Sequence, residues 1–206
     1  SGARSIRWLY LKNLISARRL SPDSKYGPAY LTLGGHTLPT LSFPWDTSLT
    51  CLSLALLDPA PLRNMVEVWL TQPMHEHLAT DYVSGTGVGP WYAVNDMAIV
   101  RCAQQYLCVT GDFAWLEKKV AGKDVLAHLV DHALYWESLV HTDRGLADYG
   151  RIENLLEVVS TYLHEVAGMN AGNVASMRFV ADLLERRGDA VRAKELRTKS
   201  TALAQR

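Results

Sequence analysis

Aromatic and carboxylate side chains stand next to each other directly before apolar, helix-like segments of this sequence. In FPWDTS, Trp45 and Asp46 precede an apolar run at 47–57. One interpretation is structural: Asp46 or Thr47 caps the helix, and Trp45 acts as a hydrophobic staple. The other is a sugar subsite, in which the indole is a stacking platform and the carboxylate holds hydroxyl groups. Taken alone, this segment favours the cap.

A second stretch of this kind is GVGPWYAVNDMA, in which Trp91 and Tyr92 precede a helix and Asn95 lies one turn inside it. The glycines before it do not fit GxGxxG and do not follow a clear strand, which argues against a dinucleotide site. The stretch is either a flexible loop anchored by Trp91 or a second wall of the same sugar pocket.

The third stretch, HTDRGLADYGRIENLLE at 141–157, is acidic. It lacks the ligand spacing of an EF-hand. It is either a solvated loop in which Glu153 or Asn154 caps the next helix, or it carries a proton donor. In the second case, burial against Tyr149 and the apolar helix start raises the pKa of one carboxyl.

Two amides, Asn170 and Asn173, lie inside an apolar helical stretch beside Gly168 and Gly172. A buried amide destabilises the fold unless it is hydrogen-bonded. This stretch therefore either packs closely on its neighbours or lines a polar cavity, and the sequence leaves both interpretations open.

The composition excludes several classes of function. The 206 residues are 48% hydrophobic, and 21 basic residues balance 21 acidic ones. No basic stripe indicates nucleic-acid binding, and no apolar stretch approaches the ~20 residues that span a bilayer. The chain begins without Met and without a visible signal peptide, so we expect a truncated start and a cytoplasmic location.

Cysteine and histidine patterns predict neither a disulfide framework nor a metal site. The three cysteines, an odd number, lack CxxC spacing and fall in apolar runs, so we expect reduced core thiols. His75 and His77 are too close together for the metalloprotease pattern His-Glu-x-x-His.

Helical periodicity dominates the chain and predicts about eight helices within one domain, 1–206. The predicted helices span 4–17, 47–57, 60–72, 93–109, 113–119, 122–140, 155–187 (with a break near Gly168) and 190–204. Long loops at 20–46, 80–92 and 141–154 lead into helices, and the first holds a short extended piece at TLGGHTL. If alternate helices form the inner ring of a barrel, these loops gather at one mouth.

A weak repeat supports helical hairpins. QYLCVTGDFAWLEKK and DLLERRGDAVRAKEL share the order helix, Gly-Asp, helix. In each copy we expect the glycine to end one helix in the left-handed conformation and the aspartate to cap the next. Helical toroids and repeat arrays both use such hairpins, but no strict 34-residue period is present.

Taken together, FPWDTS, the Trp-Tyr pair before a helix, DYGRIENLLE, STYLHEVAGMNA and the RRGD junction resemble (α/α)6-barrel glycoside hydrolases of the processing-glucosidase, trehalase and glucosylglycerate-hydrolase kind. The resemblance covers about residues 40–205. It implies an all-α fold, an (α/α)6 toroid or a partial barrel of it, and an inverting hydrolase for an α-glycosidic bond.

The resemblance also implies roles for individual residues. Trp45 and Asp46 would bind substrate, and Trp91, Tyr92, Asn95 and Tyr149 would complete the sugar subsites. Asp148 would be the general acid, and Glu153 is the second choice. This assignment rests on position in the chain alone, because the Glu-Ser-Gly-x-Asp-x-Ser string of trehalase-like relatives is absent.

The expected partner is a carbohydrate substrate, with no nucleic acid and no membrane. No cofactor is expected, although the acidic loop leaves room for a structural Ca²⁺. The base of these families lies near the end of the barrel, so a partial barrel would lack the second carboxyl that inversion needs. The alternative function is a non-catalytic helical-repeat scaffold that binds a protein or a carbohydrate. An α/α-toroid lyase or phosphorylase is a third.

Overall fold

The structure is a computed structural model in which two compact units are distinguished. The first comprises Ser1–Pro90 and Arg101–Phe113, and the second comprises Trp91–Val100 and Ala114–Arg206. The prediction of a single helical domain stays a prediction. The structure describes residues 2–8, 18–19, 26–27, 29–31, 40–150 and 163–206, and of these 2–8 are helical.

Two consecutive helices, α1 (Pro44–Leu57) and α2 (Pro59–Leu70), belong to the first unit and contact each other. Each begins with a proline, whose fixed φ suits the first helical position and whose missing N–H is not needed there. Asp58 breaks the run between the helices because a residue before proline avoids the helical region. Helix α1 therefore starts three residues before the predicted start at 47.

Short strands accompany these helices in the first unit. Strand β1 (Arg18–Arg19) pairs with β2 (Tyr30–Leu31), and β3 (Leu41–Ser42), β4 (Ala79–Asp81) and β5 (Gly87–Val88) form an antiparallel sheet. The prediction of a plain Gly-rich loop at 80–91 is thus wrong in part. The His77 ring lies where a side chain on Gly87 would be, so this glycine permits close packing. The predicted extended piece at TLGGHTL lies outside the described residues.

Helix α1 has an apolar exposed face, and its buried face mixes polar residues with apolar ones such as Leu54 and Ala55. Thr47, Ser48 and Cys51 are buried, while four leucines are exposed. The exposed leucines are Leu49, Leu52, Leu56 and Leu57. The buried hydroxyl of Ser48 donates to the Trp45 carbonyl at 2.7 Å, which satisfies it within the helix.

Helix α3 (Asn95–Thr110) contributes its last ten residues to the first unit and its first six to the second. Gly111 follows α3 with φ +68°, as the Gly-Asp repeat predicts. The predicted cap by Asp112 is wrong. The carboxylate of Asp112 accepts the Tyr106 hydroxyl at 2.6 Å, and the following segment, Phe113–Glu117, is a 3-10 helix.

The second unit contains α4 (Val125–Leu134), which follows a hairpin of β6 (Lys119–Val120) and β7 (Lys123–Asp124). The side chain of Asp124 caps this helix by accepting the Ala127 N–H at 2.7 Å. A 3-10 turn, Tyr135–Ser138, continues it. The predicted helix 122–140 is therefore shorter at both ends.

Helices α5 (Ala167–Arg186) and α6 (Ala190–Ala204) form the predicted αα-hairpin. Gly188 has φ +87°, and Asp189 accepts the Arg192 N–H at 3.1 Å, as the second copy of the repeat predicts. The predicted break near Gly168 is confirmed, because residues 163–166 are not helical and α5 begins only at Ala167. The earlier part of the predicted helix, 151–162, lies outside the described residues.

The described residues form a mainly helical structure with short strands, compatible with the predicted all-α class. Among their helices, none is both long enough and apolar enough to cross a lipid bilayer. Cys51 and Cys102 are buried free thiols, as predicted, whereas Cys108 is exposed near the end of α3 and is not a core residue.

Replacing the cap of α6 should destabilise the second unit. In Asp189→Ala the Arg192 N–H loses its acceptor, and we expect the free energy of unfolding to fall by about 1 kcal/mol. Urea denaturation measures it. Asp143→Ala, an exposed aspartate in a turn, is the matched control and should change stability by less than about 0.5 kcal/mol. Equal losses in the two variants would contradict the capping assignment.

Candidate functional site

Two predicted sugar-binding residues, Trp45 and Asp46, lie in the first turn of α1, in the first unit. Phe43 occupies the cap position in an extended conformation and makes no side-chain cap. The interpretation of Asp46 or Thr47 as the N-cap is therefore wrong, since Pro44 starts the helix before them. The half-exposed Asp46 places negative charge at the positive end of the helix dipole, which is stabilising.

The remaining described candidates, Trp91, Tyr92, Asn95, Asp148 and Tyr149, belong to the second unit. Within that unit, a buried hydrogen-bonded pair of side chains that was not predicted from the sequence lies next to Asn95. The Nδ1 atom of His132 is 2.7 Å from the Oδ1 atom of Asp96, and the two residues are only 8% and 6% exposed. An ionised Asp96 requires the hydrogen on Nδ1, which fixes the orientation of the imidazole.

The sequence carried a signal for this pair. His132 follows Val125 and Leu129 at helical spacing, on the apolar face of α4. A histidine on a buried face needs a polar partner, and Asp96 lies in the first turn of α3 beside the singled-out Asn95. What the sequence could not supply was the contact, because the two residues are 36 positions apart.

An aromatic pair stands near this carboxylate. Trp91 contacts Tyr135 edge to face, with ring centroids 5.6 Å apart and an interplanar angle of 66°. Burial, followed by the negative charge of Asp96, raises the pKa of Tyr135. Trp91 is half-buried, and its indole Nε1–H is shielded from water with no acceptor in the part of the chain that the structure describes. A bound hydroxyl group could satisfy that donor.

Tyr149 is a further buried residue that the charge of Asp96 reaches. It is 3% exposed, and its hydroxyl oxygen accepts the Asn173 amide at 2.6 Å. Burial raises the pKa of Tyr149 strongly, and the Asp96 charge raises it further, so the phenol stays protonated. We call Trp91, Asn95, Asp96, His132, Tyr135 and Tyr149 the Asp96 cluster.

Both interpretations that the sequence left open for the two amides of α5 hold in part. Asn170 accepts the Ala147 N–H at 3.0 Å and donates to the Ala147 carbonyl at 3.2 Å, so it ties α5 to the segment at 147–150. A side chain on Gly172 would clash with Met97, which indicates close packing of the helix there. Helix α5 therefore packs closely at Gly172, whereas Asn170 also lines a cavity.

Asp148 differs from the prediction in its ionisation. Its carboxylate accepts the Gly150 N–H at 2.7 Å and lies 3.0 Å from Nδ1 of His164. The Gly150 hydrogen bond, with a further contribution from His164, lowers the pKa of Asp148. The predicted rise by burial against Tyr149 is wrong, because both contacts favour the charged form and the carboxyl is not deeply buried. Asp148 is thus a carboxylate at neutral pH.

The other carboxyl candidate, Glu153, lies outside the described residues. In the described part of the acidic loop, 141–150, no three carboxyl or imidazole groups come close enough together to hold a cation.

Comparisons with known proteins leave the family of this chain open. Neither a scan against models of protein families nor a search of curated proteins found a match.

The hydrogen bond between Tyr149 and Asn173 should contribute to stability. In Tyr149→Phe the buried Asn173 amide loses its acceptor, and we expect a loss of about 1–3 kcal/mol in the free energy of unfolding. Adding Asn173→Ala should cost less than the sum of the two single losses, because the interaction is already broken. Urea denaturation of all four proteins completes the cycle, and strictly additive losses would argue against the hydrogen bond.

Asp148 should make stability depend on acid pH. Its folded pKa lies below the unfolded value of about 3.9, so the unfolded state binds more protons in this range. The stabilisation is complete above the unfolded pKa and disappears as the pH falls through the folded pKa. The gap in unfolding free energy between wild type and Asp148→Asn should therefore shrink from about pH 5 to pH 2. A gap independent of pH would exclude the lowered pKa.

Proposed function

We propose that this chain is all or part of the catalytic domain of a glycoside hydrolase that cleaves an α-glycosidic bond by inversion. The Asp96 cluster would bind the sugar. The observation that supports this is the buried carboxylate of Asp96, whose charge acts on Tyr149 and on Tyr135, the ring that Trp91 contacts. Asn95 precedes Asp96 in α3. Trp91, Asn95 and Tyr149 were all expected to contact a sugar on sequence grounds alone.

The chemistry of the cluster suits a sugar ring. A half-exposed indole gives a flat apolar surface for the C–H face of a pyranose, and its buried N–H is a donor that a hydroxyl can satisfy. Asp96 is an acceptor for hydroxyl groups, held in place by His132. In a site with little water, a charge-assisted hydrogen bond to such a carboxylate discriminates strongly against ligands that lack the hydroxyl.

The lowered pKa of Asp148 changes which residue is proposed as the general acid and which as the general base. A general acid must carry a proton near neutral pH, which a carboxyl with a lowered pKa does not. We therefore assign proton donation to Glu153. The ionised Asp148 would accept the proton that water loses as its oxygen attacks the anomeric carbon. The bond from that carbon to the glycosidic oxygen breaks as Glu153 protonates the leaving group.

The proposed architecture is an (α/α) toroid or part of one. The α5–α6 hairpin is the repeating unit that such a fold requires. The exposed leucines of α1 give further support, because an inner helix of a toroid packs its outward face against an outer helix.

Two carboxamide variants and two kinds of substrate test the proposal. Glu153→Gln should reduce turnover of maltose or trehalose by about 10²–10⁴-fold. It should affect α-glucosyl fluoride far less, because the fluoride leaving group does not need an acid. Asp148→Asn should reduce turnover of both substrate kinds, since a base is required with either. Asp143→Asn, in the same loop and exposed, is the control and should behave as wild type.

Product release followed by NMR measures both the rates and the anomeric configuration of the first product. If Glu153→Gln and Asp148→Asn both turn over the α-glucosides and α-glucosyl fluoride as fast as wild type, the roles assigned to these carboxyls are wrong. A wild-type chain that neither hydrolyses nor binds any of these α-glucosides would overturn the glycosidase and favour the protein-binding scaffold.

A further inference from the structure

A cavity of about 560 Å³ in the second unit shares no lining residue with the Asp96 cluster and needs none of the proposed glycosidase chemistry. It lies among the beginning of α5, the end of α6 and the loop around Arg144. Its volume falls in the range of small-molecule sites. The side chains that argue for a ligand are Arg144, Arg178, Arg206, Val174 and Leu203.

The rim of this cavity carries unbalanced positive charge. Arg144 is paired with Glu165, its Nε lying 3.3 Å from Oε1. Arg206 donates to the carbonyl of Gly145, which is a neutral acceptor. Arg178 is exposed and has no charged or hydrogen-bonding partner in the described ranges. Three guanidinium groups thus face one carboxylate.

The floor of the cavity is formed by apolar side chains, several of which are small. On α5, Ala167, Ala171 and Ala175 recur every four residues along the side that lines the cavity. Val174 and Leu203 are buried beneath, with 9% and 4% exposure. Small side chains leave the space open, and the buried ones give it an apolar surface.

We propose that this cavity binds a small molecule that carries one oxyanion group, a phosphate or a carboxylate, on a small apolar body. The guanidinium of Arg178 binds the oxyanion, because its planar fork matches two oxygens of either group. The apolar body lies on Val174 and Leu203. The cavity is built from the second unit alone.

Phenyl phosphate is the probe that tests this proposal, with benzoate as the carboxylate arm. Binding to the full chain is measured by calorimetry and by NMR shifts at Ala171 and Ala175. Inorganic phosphate and phenol, which each supply one half of the ligand, should bind at least about tenfold more weakly than phenyl phosphate. The stronger of phenyl phosphate and benzoate identifies the oxyanion.

Two variants assign the binding to this cavity. Arg178→Gln should weaken phenyl phosphate binding by about tenfold or more, because a charged hydrogen bond is lost. Ala175→Leu leaves the charge unchanged but fills the floor, and should weaken binding as well. Lys194→Gln removes an exposed cation of α6 that does not line the cavity, and should have no effect.

Several results would overturn the proposal. Absence of binding by both phenyl phosphate and benzoate is one. An equal loss in Lys194→Gln and Arg178→Gln would show attraction by surface charge alone, and inorganic phosphate binding as tightly as phenyl phosphate would exclude the apolar floor. The cavity shares no residue with the Asp96 cluster, so phenyl phosphate binding can be measured and interpreted even if the chain has no glycosidase activity.

Discussion

Two amides on one side of α5 hold the loop on which much of the second unit depends. Asn170 binds both the N–H and the carbonyl of Ala147, and Asn173, one turn along, donates to the hydroxyl of Tyr149. Residues three apart on a helix lie on one face, so a rigid helix fixes two points of an irregular segment. Asp148 lies between these two points, and its position is therefore set by α5.

This arrangement explains why neighbouring side chains have different environments. Tyr149 is buried against α5 and near the charge of Asp96, which favours its neutral form. Asp148 accepts a main-chain N–H and contacts His164, which favours its charged form. The main chain of His164 also bonds to Tyr149 and Gly150, so the imidazole is brought to Asp148 by backbone pairing. Sequence proximity to an aromatic ring thus does not establish that a carboxyl is buried.

The parts of the fold that were predictable are those with local causes. The α5–α6 hairpin follows from Gly188 and Asp189, whose conformation and cap act within a few residues. The same Gly-Asp pattern predicted a helix cap at Asp112, where the carboxylate instead accepts a hydrogen bond from the Tyr106 hydroxyl. The predicted start of α1 at 47 is three residues late, because Pro44, which is also common in loops, suits the first helical turn. The Asp96–His132 contact joins distant segments and left no local spacing to find.

Burying the Asp96–His132 pair lowers the stability of the second unit, and this loss of stability is relevant to the function of the unit. Removing a carboxylate and an imidazole from water carries a desolvation penalty that well-packed apolar side chains would avoid. The charge of Asp96 acts on the phenols of Tyr135 and Tyr149, and the Trp91 indole contacts Tyr135. A core selected for stability alone would replace several of these polar groups with leucine or phenylalanine. The proposed sugar site would account for their presence, because a preorganised site gives up stability for fixed donors and acceptors.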